Sequence, residues 1–169
     1  AIYMRGIKCG FVPTTILAMV DAAIGGKNGI DTGLYKNLVG TIRQPEFIFY
    51  DYSFLQTLPV KEWVNGFAEI IKHACIKDAI MFSALERYSL HDYQNDKTLI
   101  ADLIEKNVAI KTTIVANDEF EQGDRKLLNF GHSIGHAIEN LHGLPHGHAV
   151  SIGMVAACNL SEKINDFHF

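Results

Sequence analysis

No stretch of the sequence approaches the ~20 consecutive apolar residues that a membrane-spanning helix requires. Positive charge is not in surplus either. Fifteen Lys and Arg against nineteen Asp and Glu leave a formal net charge of −4, which gives no electrostatic footing for nucleic acid or an anionic membrane surface. Cysteine is sparse and odd in number. Cys9, Cys75 and Cys158 lie far apart among apolar neighbours, which reads as buried, reduced thiols in a cytoplasmic protein rather than a disulfide framework. The opening Ala1-Ile2-Tyr3-Met4-Arg5-Gly6 lacks the basic segment and apolar run of a signal peptide. Internal repeats and low-complexity segments are absent as well.

What is present is an ordinary globular composition. With 48% hydrophobic and 20% charged residues over 169 positions, the chain can bury one good core and at most a smaller second lobe. It opens without Met, in mid-pattern, and stops at Phe169 without an obvious closing element; a fragment of a longer protein is expected. Residues 7–13 read as a short strand ended by Pro13. Thr14 or Thr15 can cap a helix over residues 16–23. Gly25, Gly26 and Gly29 mark a loop that continues through Gly33 to Asn37. The apolar run 47–50 suits a buried strand of a mainly parallel sheet. Up to residue 58 the pattern is therefore α/β.

Beyond Pro59 the pattern is helical. Val60, Val64, Phe67, Ile71 and Ala74 recur at helical spacing, with Glu62, Asn65, Glu69, Lys72 and His73 on the other side. Further helices are expected near residues 78–88, 97–116 and 148–164. A central helix carries Arg125, Asn129, His132, His136 and Glu139 in one stripe, opposite Leu127, Phe130, Ile134, Ile138 and Leu141. Gly131 and Gly135 inside it each cost about 1 kcal/mol relative to Ala, so a close approach is expected there.

Two imidazoles one turn apart are equally the wet side of an amphipathic helix or part of a site. The second His-rich turn, Pro145-His146-Gly147-His148, favours a site. By spacing and type, Glu69, His132, His136, His146 and His148 are candidate metal ligands. Glu69 and Lys72 alone read as an exposed i,i+3 pair contributing a few tenths of a kcal/mol; beside a metal, the lysine could bind an oxyanion or move a proton. Lys111, on an apolar face, either snorkels to water or points into a cleft. Lys27 and Lys36 near the Gly25-Gly26 turn suit a phosphate or a solvated loop.

Taken together, Val12-Pro13-Thr14-Thr15, Val20 to Lys27, Lys36-Asn37-Leu38-Val39-Gly40, Gly66 to Lys72, Asp118-Glu119, Leu128 to His132 and His146-Gly147 follow in the order found in 3-dehydroquinate synthases. No one segment is specific alone; their order over essentially the whole chain is, and the sequence resembles that family. The resemblance implies an NAD- and zinc- or cobalt-dependent cyclase. Its members convert 3-deoxy-D-arabino-heptulosonate 7-phosphate to 3-dehydroquinate and phosphate in the shikimate pathway of aromatic amino acid biosynthesis. It also implies a homodimer and a fold in two parts: residues 1–58 as the end of an α/β NAD-binding domain, and 59–169 as an all-helical metal- and substrate-binding domain.

Carried over by motif, the resemblance implies that Glu69, His132 and His146 hold the metal. His136 becomes a proton-transfer and phosphate-contact residue. Lys72, Lys111, Arg125, Asn129, Lys27 and Asn37 line the substrate pocket, with Asp21 and Glu121 near the hydroxyl-bearing carbons or the nicotinamide. Arg5 helps bind phosphate. Thr14, Thr15, Lys27, Lys36, Phe54, Leu55, Gln56 and Thr57 match NAD contacts.

Two departures stand out. The family's glycine-rich pyrophosphate turn and its C-terminal helices are not in the sequence, so weak NAD binding and little turnover are expected of these 169 residues. The family's usual His-Gly-Glu is His146-Gly147-His148 here, which sets a competing imidazole beside the expected ligand. Other readings of the same residues are a cyclase making a deoxy-inosose or valiolone-type ring, a metal-dependent polyol dehydrogenase, and a non-catalytic helical module that only dimerises.

Overall fold

In the computed structural model the backbone is described for residues 3–33 and 35–165. The side chains of Arg5, Lys36 and Asn37 lie outside the described residues, and with them the expectations attached to those three. The described residues are mostly helical, with one two-stranded antiparallel sheet. No helix is long and apolar enough to cross a membrane.

The 3-10 helix Tyr52–Thr57 leads through Pro59 into α1 (Val60–Lys77), followed by α2 (Ala79–Leu85), α3 (Leu90–Asn95) and α4 (Lys97–Asn117). Side-chain caps set the starts of the last three of these. Asp78 accepts from the amide of Met81, Ser89 and Asp92 form a capping box, and Asp96 accepts from the amides of Thr98 and Leu99. The helical pattern near 78–88 thus resolves into α2, and α3 is an extra element whose six residues are too few to show a period. A second 3-10 helix, Asp124–Asn129, precedes α5 (His132–His142) and α6 (His146–Asn165).

The core gathers Ile16, Met19 and Val20 against Trp63 and Ile70 of α1 and Ile100, Leu103 and Ile104 of α4. The first three lie on the helical turn over residues 16–22, whose main part, Ala18–Ala22, is a π-helix. Thr15 caps that turn, its Oγ1 accepting from the amide of Ala18 at 3.1 Å. A π-helical turn is uncommon and often lies at a functional site; this one carries Asp21.

Several expectations are corrected. The loop expected from Gly25 to Asn37 is largely a hairpin, β1 (Lys27–Thr32) and β2 (Tyr35–Ile42), with a register shift between Ile30 and Thr32. Its Ile30, Leu38 and Val39 are exposed, so no buried/exposed alternation announces it. The expected parallel strands reduce to one bridge, Phe11 to Ile48, and Phe47 and Phe49 are exposed rather than buried. The polar side of α1 is the buried one: Glu69, Lys72 and His73 are nearly inaccessible, whereas Val60 and Val64 face outward. The cysteines are free, as expected, but Cys75 is exposed and Cys9 and Cys158 are only partly covered.

The central helix is also not continuous. Phe130 turns the chain out of the 3-10 helix, and Gly131, at φ 78°, starts α5 at His132. The close approach expected at its glycines is the backbone of α6. A Cβ at Gly131 would lie 2.8 Å from Val150 O, and one at Gly135 3.1 Å from Ala149 O. Bare glycines therefore let α5 and α6 pack almost backbone to backbone, with the start of α5 seated against residues 150–154 of α6.

Candidate metal centre

Three polypeptide segments converge on the carboxylate of Glu69. Its side chain, on the inner face of α1, is fully buried. Asn65, one turn earlier, accepts a hydrogen bond at 2.5 Å from the amide of Gly147. That contact ties the first turn of α6 to α1 and brings His146 Nε2 to 3.2 Å from Glu69 Oε1. From the start of α5, His132 Nε2 lies 3.7 Å from the same oxygen. One ligand atom from each of the three residues falls within 4.8 Å of the others.

The second nitrogen of each ring is held as well. His132 Nδ1 is 3.2 Å from Phe130 O, and His146 Nδ1 is 3.5 Å from Glu139 Oε2. A carbonyl oxygen only accepts, so Nδ1 of His132 carries the proton and its Nε2 lone pair faces Glu69. A lone pair aimed at a buried carboxylate calls for a cation between them, and one carboxylate with two imidazoles is a donor set that Zn²⁺ or Co²⁺ accepts. The residues therefore fit a divalent metal.

In the metal-free site a proton between His146 Nε2 and Glu69 takes the place such a cation would occupy. The hydrogen bond to Glu69 raises the pKa of His146, whereas burial, aided by the Lys72 ammonium, lowers that of His132. Burial alone would raise the Glu69 carboxyl, and the Asp21 charge adds to that; hydrogen bonds from His146 and Lys72 overcome both and hold it low.

Around this cluster lies a pocket of about 570 Å³, lined by Asp21, Lys27, Lys72, Lys111, Arg125 and Asn129 together with His132, His136 and His146. Glu69 and Lys72 are a buried ion pair rather than the exposed pair that spacing suggested. Lys111 does not snorkel. It reaches from α4 into the cleft and donates to Asp21 Oδ1 at 2.5 Å and to Asp21 O at 2.6 Å. Burial would raise the Asp21 carboxyl, but Lys111 and Lys72 hold it far below the usual carboxylate range. Arg125 is buried, its guanidinium spent on the backbone carbonyls of Gly25 and Glu119, so it offers the pocket charge more than free donors. At the rim Glu121 accepts from Lys27 and, at 2.6 Å, from Asn129 Nδ2.

The dinucleotide set is not gathered in the same way. Of its described members only Lys27 lines this pocket. Thr14 is exposed, Thr15 caps the helical turn, and Leu55 is buried in the core between exposed Phe54, Gln56 and Thr57. Spacing also nominated His136 and His148 as ligands. His136 stands at the pocket wall, its ring centroid 5.1 Å from that of His132, and His148 is exposed.

Sequence reasoning missed Asn65 and Asn107. Asn107 is fully buried and 3.1 Å from His73 Nδ1, while its own amide donates to Leu103 O at 2.7 Å. Buried asparagine on an otherwise apolar helix face was the available signal.

The fold and this cluster define a helical protein with a candidate mononuclear metal centre facing a cation-rich pocket. The 3-dehydroquinate synthase N-terminal family matches residues 1–65 and the 3-dehydroquinate synthase C-terminal family residues 66–168; the chain belongs to the 3-dehydroquinate synthase family. A 3-dehydroquinate synthase of Halalkalibacterium halodurans is 46% identical over 168 residues, covering 97% of this chain and 46% of that protein. The chain thus spans about half the length of the relatives it matches. Among solved structures, a 2-epi-5-epi-valiolone synthase from Streptomyces hygroscopicus with NAD+ and Zn2+ bound superposes with a TM-score of 0.89 at 31% identity, covering 97% of this chain and 47% of that one. A 2-deoxy-scyllo-inosose synthase complexed with carbaglucose-6-phosphate, NAD+ and Co2+ gives 0.85 at 30%, covering 97% and 45%.

Proposed function

We propose that this chain is part of a 3-dehydroquinate synthase, acting on 3-deoxy-D-arabino-heptulosonate 7-phosphate, and that Glu69, His132 and His146 hold its divalent metal. The observation that carries the reading is the convergence of those three side chains on one buried carboxylate beside a lysine-lined pocket. Relatives named for this activity are 46% identical, against 31% and 30% for the cyclases of other rings.

Glu69, His132 and His146 would hold the metal, which would supply Lewis acidity toward a substrate hydroxyl, and NAD would supply hydride chemistry. The chain's own residues bind and orient. Lys72 and Lys111 bring two ammonium groups to the pocket wall, matching a substrate that bears phosphate and carboxylate. Asp21, kept ionised by those lysines, is the acceptor for a substrate hydroxyl. Asn129 and Lys27, drawn together by Glu121, offer further donors, and His136 stands where a proton can be moved beside the phosphate. Residues 1–58 are read as the end of the NAD-binding part and 59–169 as the metal- and substrate-binding part. The NAD assignment of Thr14, Thr15 and Phe54 to Thr57 follows the family likeness. A cytoplasmic location and homodimerisation belong to the same reading.

The test is metal-dependent ligand protection. With Zn²⁺ present, heptulosonate 7-phosphate should raise the melting temperature of the chain more than sedoheptulose 7-phosphate or glucose 6-phosphate does. A larger shift with either of the latter would assign the chain to a cyclase of another ring.

A further inference from the structure

We infer that Glu139 is a positioning residue for the metal centre: it holds the Nδ1 proton of His146 and thereby turns the Nε2 lone pair toward Glu69. The inference rests on the ligand set proposed above and goes beyond it.

His146 stands between two donor clusters. On one side are Glu69 and His132; on the other are His136 and Glu139 of α5, and each set with His146 is compact enough to hold an ion. A neutral imidazole has one proton and one lone pair, so it can be a ligand to only one of them. Two observations decide which. Glu69 is fully buried whereas the Glu139 side chain keeps 16% exposure, and a buried carboxylate is the one that must be compensated. His132, the neighbouring ligand, already shows the same division of labour: Nδ1 on the Phe130 carbonyl, Nε2 toward Glu69. For His132 the backbone fixes the tautomer. For His146 that part falls to a side chain, Glu139, whose Oε2 lies 3.5 Å from Nδ1. Such carboxylate–imidazole–metal lines orient the ring and raise its basicity, and losing the outer partner typically weakens metal binding about 10–100-fold.

The test measures Zn²⁺ affinity by chelator competition and the visible spectrum of the Co²⁺ form, on the 169-residue chain. Wild type, Glu139→Ala, Glu139→Gln, His146→Ala and the Glu139→Ala/His146→Ala double variant are compared, with folding checked by circular dichroism. One equivalent should bind throughout the Glu139 series, about 10–100-fold more weakly in Glu139→Ala with an altered Co²⁺ spectrum. Glu139→Gln, whose amide oxygen still accepts from Nδ1, should recover part of the loss. On the His146→Ala background the Glu139→Ala change should add nothing, an outcome that a general structural role would not give. Unchanged affinity in Glu139→Ala, with His146→Ala still impaired, overturns this inference alone. Two equivalents in wild type and one in Glu139→Ala overturn it by making Glu139 a ligand of a second ion. No binding by wild type, or none lost in His146→Ala, overturns the ligand set and this inference with it.

Discussion

His146 Nε2 stands 3.2 Å from Glu69 Oε1, across 77 positions of sequence. Neither residue's helix makes that contact inevitable; it depends on how α6 is seated on α1.

The seat is Gly147. A Cβ there would collide with Asn65 O, and its amide is the donor to Asn65 Oδ1. Gly147→Ala should lower stability by about 1–3 kcal/mol, the usual range for overpacking, and weaken Zn²⁺ binding with the three ligands intact. Urea denaturation and metal titration check both effects. Wild-type affinity in the variant would show that α6 tolerates displacement.

Lys111 and Asp21 form the second buried connection, from α4 to the π-helical turn. Removing the cation in Lys111→Met leaves the carboxylate with the Lys72 ammonium 4.0 Å away and the His73 ring at 3.8 Å. Stability should fall by about 3 kcal/mol, the low end for breaking a buried pair, and the Asp21 carboxyl should titrate higher. Denaturation and carboxyl-resolved NMR read the two effects; no change in either would mean Asp21 is already solvated.

His73 makes stability depend on pH. Burial first, and the Lys72 ammonium second, push its pKa down from 6.5 to about 4. The unfolded chain therefore takes up this proton near pH 6.5 and the folded chain only near 4. Stability should be full above the upper value and lost as pH falls through the window, by about 3 kcal/mol in all. Asp21 and Glu69, whose folded values are lowered, contribute stability that is lost at lower pH still. In metal-free protein, His73→Gln should flatten the slope between pH 6.5 and 4, as read by urea midpoints. An unchanged slope would show that another group titrates there.

The helices were legible in the sequence where the apolar period ran long: α1 after Pro59 and α4 (Lys97–Asn117). Which face turned inward was not. On α1, Glu69 and Lys72 are buried as an ion pair and His73 is buried against Asn107 of α4, and a hydrophobic pattern cannot register polar groups paired across the fold. The hairpin at residues 27–42 was hidden because its apolar residues face outward. The stripe from Arg125 to Glu139 was correct in composition but not in geometry, since Gly131 restarts the helix and rotates His132 relative to Asn129. The tie between Asn65 and Gly147 has no local signature at all.

The most direct measurement is metal content and Zn²⁺ affinity of the wild-type chain against Glu69→Ala, His132→Ala and His146→Ala, with His148→Ala as the exposed neighbour. One zinc per wild-type chain, a sharp loss in each of the first three and none in the fourth is the expected result. Metal lost in His148→Ala but retained in His146→Ala would contradict the account.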